Sequence, residues 1–337
     1  MVLGAVPPAT PEHVTEVTPE VAQATAARLV ANVERVVRGQ RRVVELVVTA
    51  FLSGGHVLVE DSPGMGKTTL ARAVARSVGG TFQRVQATAD LMPADVTGSS
   101  VWDPGERRFA FVPGPVFADV LLVDELNRTP PRTQSAFLEV MEERAVTVDG
   151  RRHRVPDAFL LIATQNPLEQ FGTYPLPEGQ LDRFAMRLHL AALDVEAEQR
   201  VVREQLAGPT VEHLDAVLPA GRMRGVQAAV RQTYVAEPVL GHAVALTRAT
   251  RDDPALRLGA GPRAAITLVR CAQAYAVLNG RDYVTPDDVT ALAVPVLAHR
   301  VVPMAGVAGG GGTGPESRAA EAVIRQLTER LPVPVHP

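Results

Sequence analysis

VLVEDSPGMGKTTL, residues Val57 to Leu70, divides into three parts. Val57-Leu58-Val59 is a short apolar run of branched residues, the pattern of a strand buried on both faces. Ser62-Pro63-Gly64-Met65-Gly66 turns the chain, and Lys67-Thr68-Thr69-Leu70-Ala71 opens a helical pattern. A glycine-rich turn between strand and helix gathers backbone N–H groups around an anion, and the helix adds its positive end. Lys67 then reaches the β- and γ-phosphates of a nucleotide, and the Thr68 hydroxyl can ligate Mg²⁺. Asp61 stands where the general phosphate-loop pattern has its first glycine.

Lys67 is the one lysine among the chain's 34 lysines and arginines. A compact ammonium and a forked guanidinium are not interchangeable at a phosphate loop, and here the ammonium is kept. The same count excludes a guanine-specifying N-K-x-D element and a kinase V-A-I-K strand, since no second lysine exists to supply either. ATP is the expected nucleotide.

Two further apolar runs end in polar residues. Val120-Leu121-Leu122-Val123 delivers Asp124-Glu125, and Phe159-Leu160-Leu161-Ile162-Ala163 delivers Thr164-Gln165-Asn166. In an open parallel sheet the carboxyl edge of the strands is where ligands bind, so the three strand ends read as one site. Asp124 suits Mg²⁺ coordination, direct or through water, and Glu125 suits polarisation of an attacking water.

Outside these runs, Thr18-Pro19-Glu20 reads as a helix start, with a helix towards Val36 and a second over Arg41–Leu52. Ser99–Trp102 and Arg107–Val112 read as strands around a turn. Asp149-Gly150 sits in a second hairpin within Val146–Val155. Pro130–Glu143 reads as a helix. From Asp194 onward the pattern is helical, with a capping box at Thr285-Pro286-Asp287-Asp288 and a final helix over Glu316–Leu331. The expected organisation is a tail over 1–17, an α/β core over 18–192, and a helical domain over 193–337 with a glycine-rich linker at 308–314.

Net charge of −3 and pI near 6.3 give no electrostatic drive towards nucleic acid or an anionic membrane. The longest apolar run, Val43–Leu52, contains Glu45 and is too short to span a bilayer. No cleavable leader pattern precedes the first helix, which reads as cytoplasmic. Cys271 is the single cysteine, in an apolar helical pattern that suits packing. The histidines form no zinc pattern.

The blocks GGHVLVEDSPGMGKTTLA, LLVDELNRTPPRTQSAFLEVMEE, LLIATQNPLEQFGTYPLPEGQLDRF and GAGPRA, in this order between about Val37 and Arg300, resemble the MoxR family of AAA+ ATPases. Asp at position 61 is a form this family often uses. The resemblance implies a P-loop core of parallel sheet flanked by helices, with two hairpin insertions, followed by an all-α lid. It implies that Pro63, Gly64, Met65, Gly66, Lys67, Thr68 and Thr69 cradle ATP and that Thr68 and Asp124 hold Mg²⁺. Val37 and Gly39 would lie near the adenine. Asn166 would be the sensor that orients water beside Glu125. Arg183 in LDRF would be an arginine finger offered to a neighbouring subunit, with Arg187 and Arg128 as rivals, and Arg263 would be a second sensor on the lid. The hairpins at Trp102 and Asp149-Gly150 resemble the insertions of the branch that also holds MCM helicases and magnesium chelatases.

The function implied is that of an ATP-driven, chaperone-like remodeller. It would be a homo-oligomer, a hexameric ring, that matures or activates protein clients or metal- and cofactor-dependent complexes. A von Willebrand factor A domain protein is the implied partner. A nucleic-acid motor is the alternative, against which the acidic charge argues. A scaffold with a dead site is disfavoured by the presence of Lys67, Asp124, Glu125, Asn166 and Arg183.

Overall fold

The computed structural model describes residues 17–60, 65–166, 172–190, 195–207, 211–304 and 315–333. Asp61, Pro63, Gly64, the tail expected at 1–17 save Val17, and the linker expected at 308–314 lie outside these.

Thr18 caps α1 (Pro19–Glu34) through its side chain, with Pro19 at the first helical position, and α2 spans Arg41–Leu52. Between β1 (Val57–Glu60) and α3 (Lys67–Ser77), Gly66 takes φ 84°, a left-handed conformation that costs a glycine little. There follow β2 (Phe82–Gln86), α4 (Pro93–Thr97), and a ribbon of β3 (Gly98–Asp103) with β4 (Arg108–Pro113). The chain continues through β5 (Val120–Asp124), α5 (Pro131–Glu143), and a second ribbon of β6 (Ala145–Val148) with β7 (Arg151–Arg154). Asp149 and Gly150 join that ribbon with φ of 49° and 73°, the pair of positive values a twisted two-residue turn requires. The core closes with β8 (Leu160–Gln165), the short α6 (Glu178–Leu181) and β9 (Met186–Leu188).

The five strands β2-β5-β8-β1-β9 form one parallel sheet in that order. All five residues of β5, and β8 from Leu160 to Thr164, are buried, which explains why these strands read as continuous apolar runs. Burying each such leucine contributes roughly 1.5–3 kcal/mol. His56 enters the sheet as a structural residue: Nδ1 accepts from the Leu161 amide at 3.0 Å and Nε2 lies 3.2 Å from the Met141 carbonyl. Burial keeps this imidazole neutral, its pKa well below the ordinary histidine range.

The second half contains α7 (Val195–Ala207), α8 (Met223–Val230), α9 (Glu237–Asp252), α10 (Pro262–Leu278), α11 (Pro286–Leu297) and α12 (Pro315–Arg330). This lid is helical with one addition to the sequence expectation. Leu256–Leu258 (β10) pairs antiparallel with Val302–Pro303 (β11), strands too short to show a period of two. The expected capping box is present: Asp288 receives the Thr285 amide at 2.8 Å and a two-pronged Arg281 at 2.6 and 2.7 Å. One continuous apolar cluster runs from α1, α2 and α3 across a face of the sheet into α8, α9, α10 and α11. Arg300, buried beneath the lid, donates to the carbonyls of Asp182 and Phe184 at 3.0 and 2.7 Å and to Asp182 Oδ1 at 2.8 Å.

Candidate nucleotide site

The carboxyl ends of β1, β5 and β8 converge, as parallel strands in neighbouring register must, on one cavity. Met65, Gly66, Lys67 and Thr68 line one side, and Asp124, Glu125, Gln165 and Asn166 line the other. Lys67 and Thr68 are the first two residues of α3, so the helix N-terminus and the ammonium act on the same space.

Asp124 is buried, and its Oδ2 accepts from Arg84 Nε at 2.6 Å. Glu125 takes φ 58° and ψ 48°, left-handed for a residue with a side chain. Its amide donates to the buried Thr164 Oγ1 at 2.9 Å, tying the turn after β5 to the end of β8. Its Oε2 meets Arg128 Nε at 2.7 Å and Gln86 Nε2 at 3.4 Å. The site thus sets a cation and a helix N-terminus opposite two carboxylates and an amide. That arrangement can bind polyphosphate on one side and activate water on the other.

Two hard oxygen donors, the Thr68 hydroxyl and the Asp124 carboxylate, face the cavity and suit Mg²⁺. Among the described residues no group of three histidine, cysteine, aspartate or glutamate side chains could hold a metal ion alone. A cation shared with phosphate oxygens and water fits this donor set better than an all-protein cage.

The other sequence candidates lie elsewhere. Thr69 is on α3 but does not line the cavity. Val37 packs into the apolar cluster, and Gly39 takes φ 69° in the turn between α1 and α2; neither lines the cavity. Arg183 and Arg263 come together, but on Glu142 rather than at the phosphate loop. Arg183 Nε lies 3.0 Å from Oε2 and Arg263 Nη1 lies 3.2 Å from Oε1. Arg187 is drawn inward to Glu60 at 3.7 Å, and Arg128 belongs to Glu125.

The positions of these groups follow from strand direction. Arg183 precedes β9, whose Met186 pairs with Val57 at the start of β1. It therefore lies at the amino edge of the sheet, whereas Lys67 follows the carboxyl edge. The span of β1 alone separates the two edges by about 10 Å. Glu142 reaches the same amino edge because α5 starts after β5 and runs back along the sheet for 13 residues, roughly 20 Å.

Sequence reading missed Arg84, Gln86 and Glu142, and it named Thr164 as a polar strand end without its role of holding Glu125. Gln86 had a signal: β2 is a fourth parallel strand, and Gln86 pairs with Asp124 at its carboxyl end. Arg84, one arginine among many, had none.

The sequence matches the profile described as "ATPase family associated with various cellular activities (AAA)" over residues 56–186, and that of the AAA lid domain over residues 248–322. It is 41% identical over 312 residues to the uncharacterized protein YeaC of Bacillus subtilis, spanning 91% of this chain and 94% of that one. Chaperone MoxR1 of Mycobacterium tuberculosis is 39% identical over 287 residues, spanning 82% of this chain and 76% of that one. A crystal structure of a protein from Cytophaga hutchinsonii aligns with a TM-score of 0.84 at 31% identity, covering 94% of this chain and 97% of that one.

Proposed function

Since the chain belongs to the MoxR family of AAA+ ATPases, we propose that it is a ring-forming, chaperone-like remodeller that uses ATP hydrolysis to mature or activate protein clients. The observation that carries this reading is the division of the catalytic groups between two edges of the sheet. Lys67, Asp124, Glu125 and Asn166 share one cavity, and Arg183 and Arg263 stand together at the opposite edge. With both arginines held at that edge, each complete site in this reading takes them from a neighbour. A closed ring, hexameric in this reading, supplies one neighbour to every subunit.

In the assembled site Lys67 and the amides at the start of α3 bind the phosphates. Thr68 and Asp124 would hold Mg²⁺, which would supply positive charge against the phosphates. Glu125 takes a proton from water, aided by Asn166 in orienting it. The water oxygen bonds to the γ-phosphorus as the bond to the β-phosphate oxygen breaks, giving ADP and phosphate. Arg183 and Arg263 of the adjacent subunit stabilise the charge on the transferring group, an effect of about 10³–10⁵ in rate when supplied in trans. The client is read as a protein, with a von Willebrand factor A domain protein as the partner.

The test separates the two halves of the site. Lys67→Ala should lose ATP binding, whereas Glu125→Gln and Arg183→Ala should bind ATP and barely hydrolyse it. Mixing the last two should restore hydrolysis, because some interfaces then pair an intact Glu125 with an intact Arg183. No recovery, with subunit exchange confirmed by labelled protein, would remove Arg183 from the neighbour's site and with it the ring requirement.

A further inference from the structure

Glu142 is a surface carboxylate near the end of α5, and it joins two guanidiniums from different parts of the chain. Oε2 accepts from Nε of Arg183, which precedes β9, and Oε1 accepts from Nη1 of Arg263, on the first turn of α10 in the lid. Arg263 Nε also lies 3.7 Å from Asp182, which Arg300 fixes from beneath. The Arg183 side chain makes no other hydrogen bond or ion pair among the described residues, so among these neither of its terminal nitrogens has a partner.

A guanidinium held by Nε turns its terminal pair away from the holding group. That pair is the planar fork that matches two phosphate oxygens. Two guanidiniums drawn together repel unless an anion lies between them, and Glu142 is that anion. The three arginines and two carboxylates of this cluster still leave a positive charge, as a site for an incoming anion should. Half-exposed arginines without such a tether would sample many rotamers, and alignment would be lost at each encounter.

We propose that Glu142 is a positioning residue for hydrolysis in the neighbouring subunit. One carboxylate sets Arg183 and Arg263 as a paired fork for the γ-phosphate of ATP bound next door. This rests on the reading of Arg183 as a group that acts in trans. It assigns Glu142 to the same side of the subunit interface as the two arginines. It also makes the lid and the core contribute jointly to the neighbour's site.

The experiment uses full-length Glu142→Gln and Glu142→Asp, with ring assembly followed by sedimentation and folding by Tm. Steady-state hydrolysis and binding of a fluorescent ATP analogue give the functional readouts. In Glu142→Gln the turnover number should fall about 10–100-fold, the scale of a misplaced catalytic group. KM for ATP and analogue affinity should stay within about twofold, because the subunit's own phosphate loop is untouched. Glu142→Asp should recover part of the loss, and adding Glu142→Gln to Arg183→Ala should cost less than it does in the parent. Mixed rings give the readout a structural role would not: Glu142→Gln should be rescued by Glu125→Gln but not by Arg183→Ala. Rescue by Arg183→Ala would overturn the proposal, as would wild-type turnover in Glu142→Gln or a loss explained by failed folding or assembly. If Arg183→Ala itself is active, or is not rescued by Glu125→Gln, the underlying trans reading fails instead, and the two failures are distinguishable.

Discussion

Replacing Thr164 with valine tests how Glu125 is aimed. Glu125 sits at φ 58° and ψ 48°, a conformation that costs a residue with a side chain about 1–2 kcal/mol. What offsets that cost is the 2.9 Å bond from the Glu125 amide to Thr164 Oγ1, an acceptor on the central strand β8 that is 3% exposed. Valine has the same shape and no acceptor. Leaving a partly buried N–H unpaired costs about 1–3 kcal/mol, comparable to the strain it was holding, so the turn relaxes and the carboxylate moves. A displacement of about 1 Å at a catalytic group lowers turnover on the order of 10²-fold. ATP binding should be unchanged, because Lys67 and Thr68 are not involved. Melting should shift by about 2–4 °C for each kcal/mol lost. Thr164→Ser keeps the oxygen and should behave like the parent. Phosphate-release kinetics, analogue binding and thermal melts on the three proteins decide the matter. Wild-type turnover in Thr164→Val would refute the claim that this bond aims Glu125.

Burial pushes the Cys271 thiol up to about 11, so a disulfide reagent at pH 8 should not label the native protein and should label one thiol per chain in denaturant. Rapid native labelling would show that the lid opens around α10. At His189, burial opposes protonation but is outweighed by the hydrogen bonds to Glu321 Oε1 and the Glu60 carbonyl, both 3.0 Å, so its pKa is raised above 6.5. A raised folded pKa means the stabilisation is fully present below about 6.5 and is lost as pH rises through the folded value. Glu321, whose pKa is lowered chiefly by His189 against the effect of burial, keeps its charge at mildly acidic pH. The Tm deficit of His189→Gln should therefore be largest near pH 6 and shrink on the alkaline side. A deficit independent of pH would mean that packing, not charge, makes this contact.

The parts of the fold that were legible in the sequence are those a local pattern dictates. The buried strands β1, β5 and β8 read as unbroken apolar runs because both faces are covered, and their polar ends named Lys67, Asp124, Glu125 and Asn166. Both ribbons were legible, the second from Asp149-Gly150, where turn chemistry is decided by two residues. The convergence of Arg183 and Arg263 on Glu142 was not, since it depends on how the lid packs against the core over a separation of more than 100 residues. Arg84 and the role of Thr164 were likewise hidden: a buried threonine or one more arginine acquires meaning only from the strand beside it. The β10–β11 ribbon fell below any periodic signal because its strands have three and two residues.

Each ribbon is tied through its second strand to the nucleotide cavity. Strand β4 leads through a short connection into β5, which ends at Asp124 with Glu125 next, and β7 leads into β8, which Asn166 follows. A two-stranded ribbon alone bends readily, but Phe111 of one lies flat against His153 of the other, 3.8 Å between ring centres. That brace makes a truss of two weak arms. A load on Trp102 or Phe109, both half-exposed or more near the outer end, is carried along two push-rods rather than dissipated in one hinge. Because packed cores switch between arrangements rather than stretch, a shift of the braced pair would reach the ends of β5 and β8 together rather than one at a time.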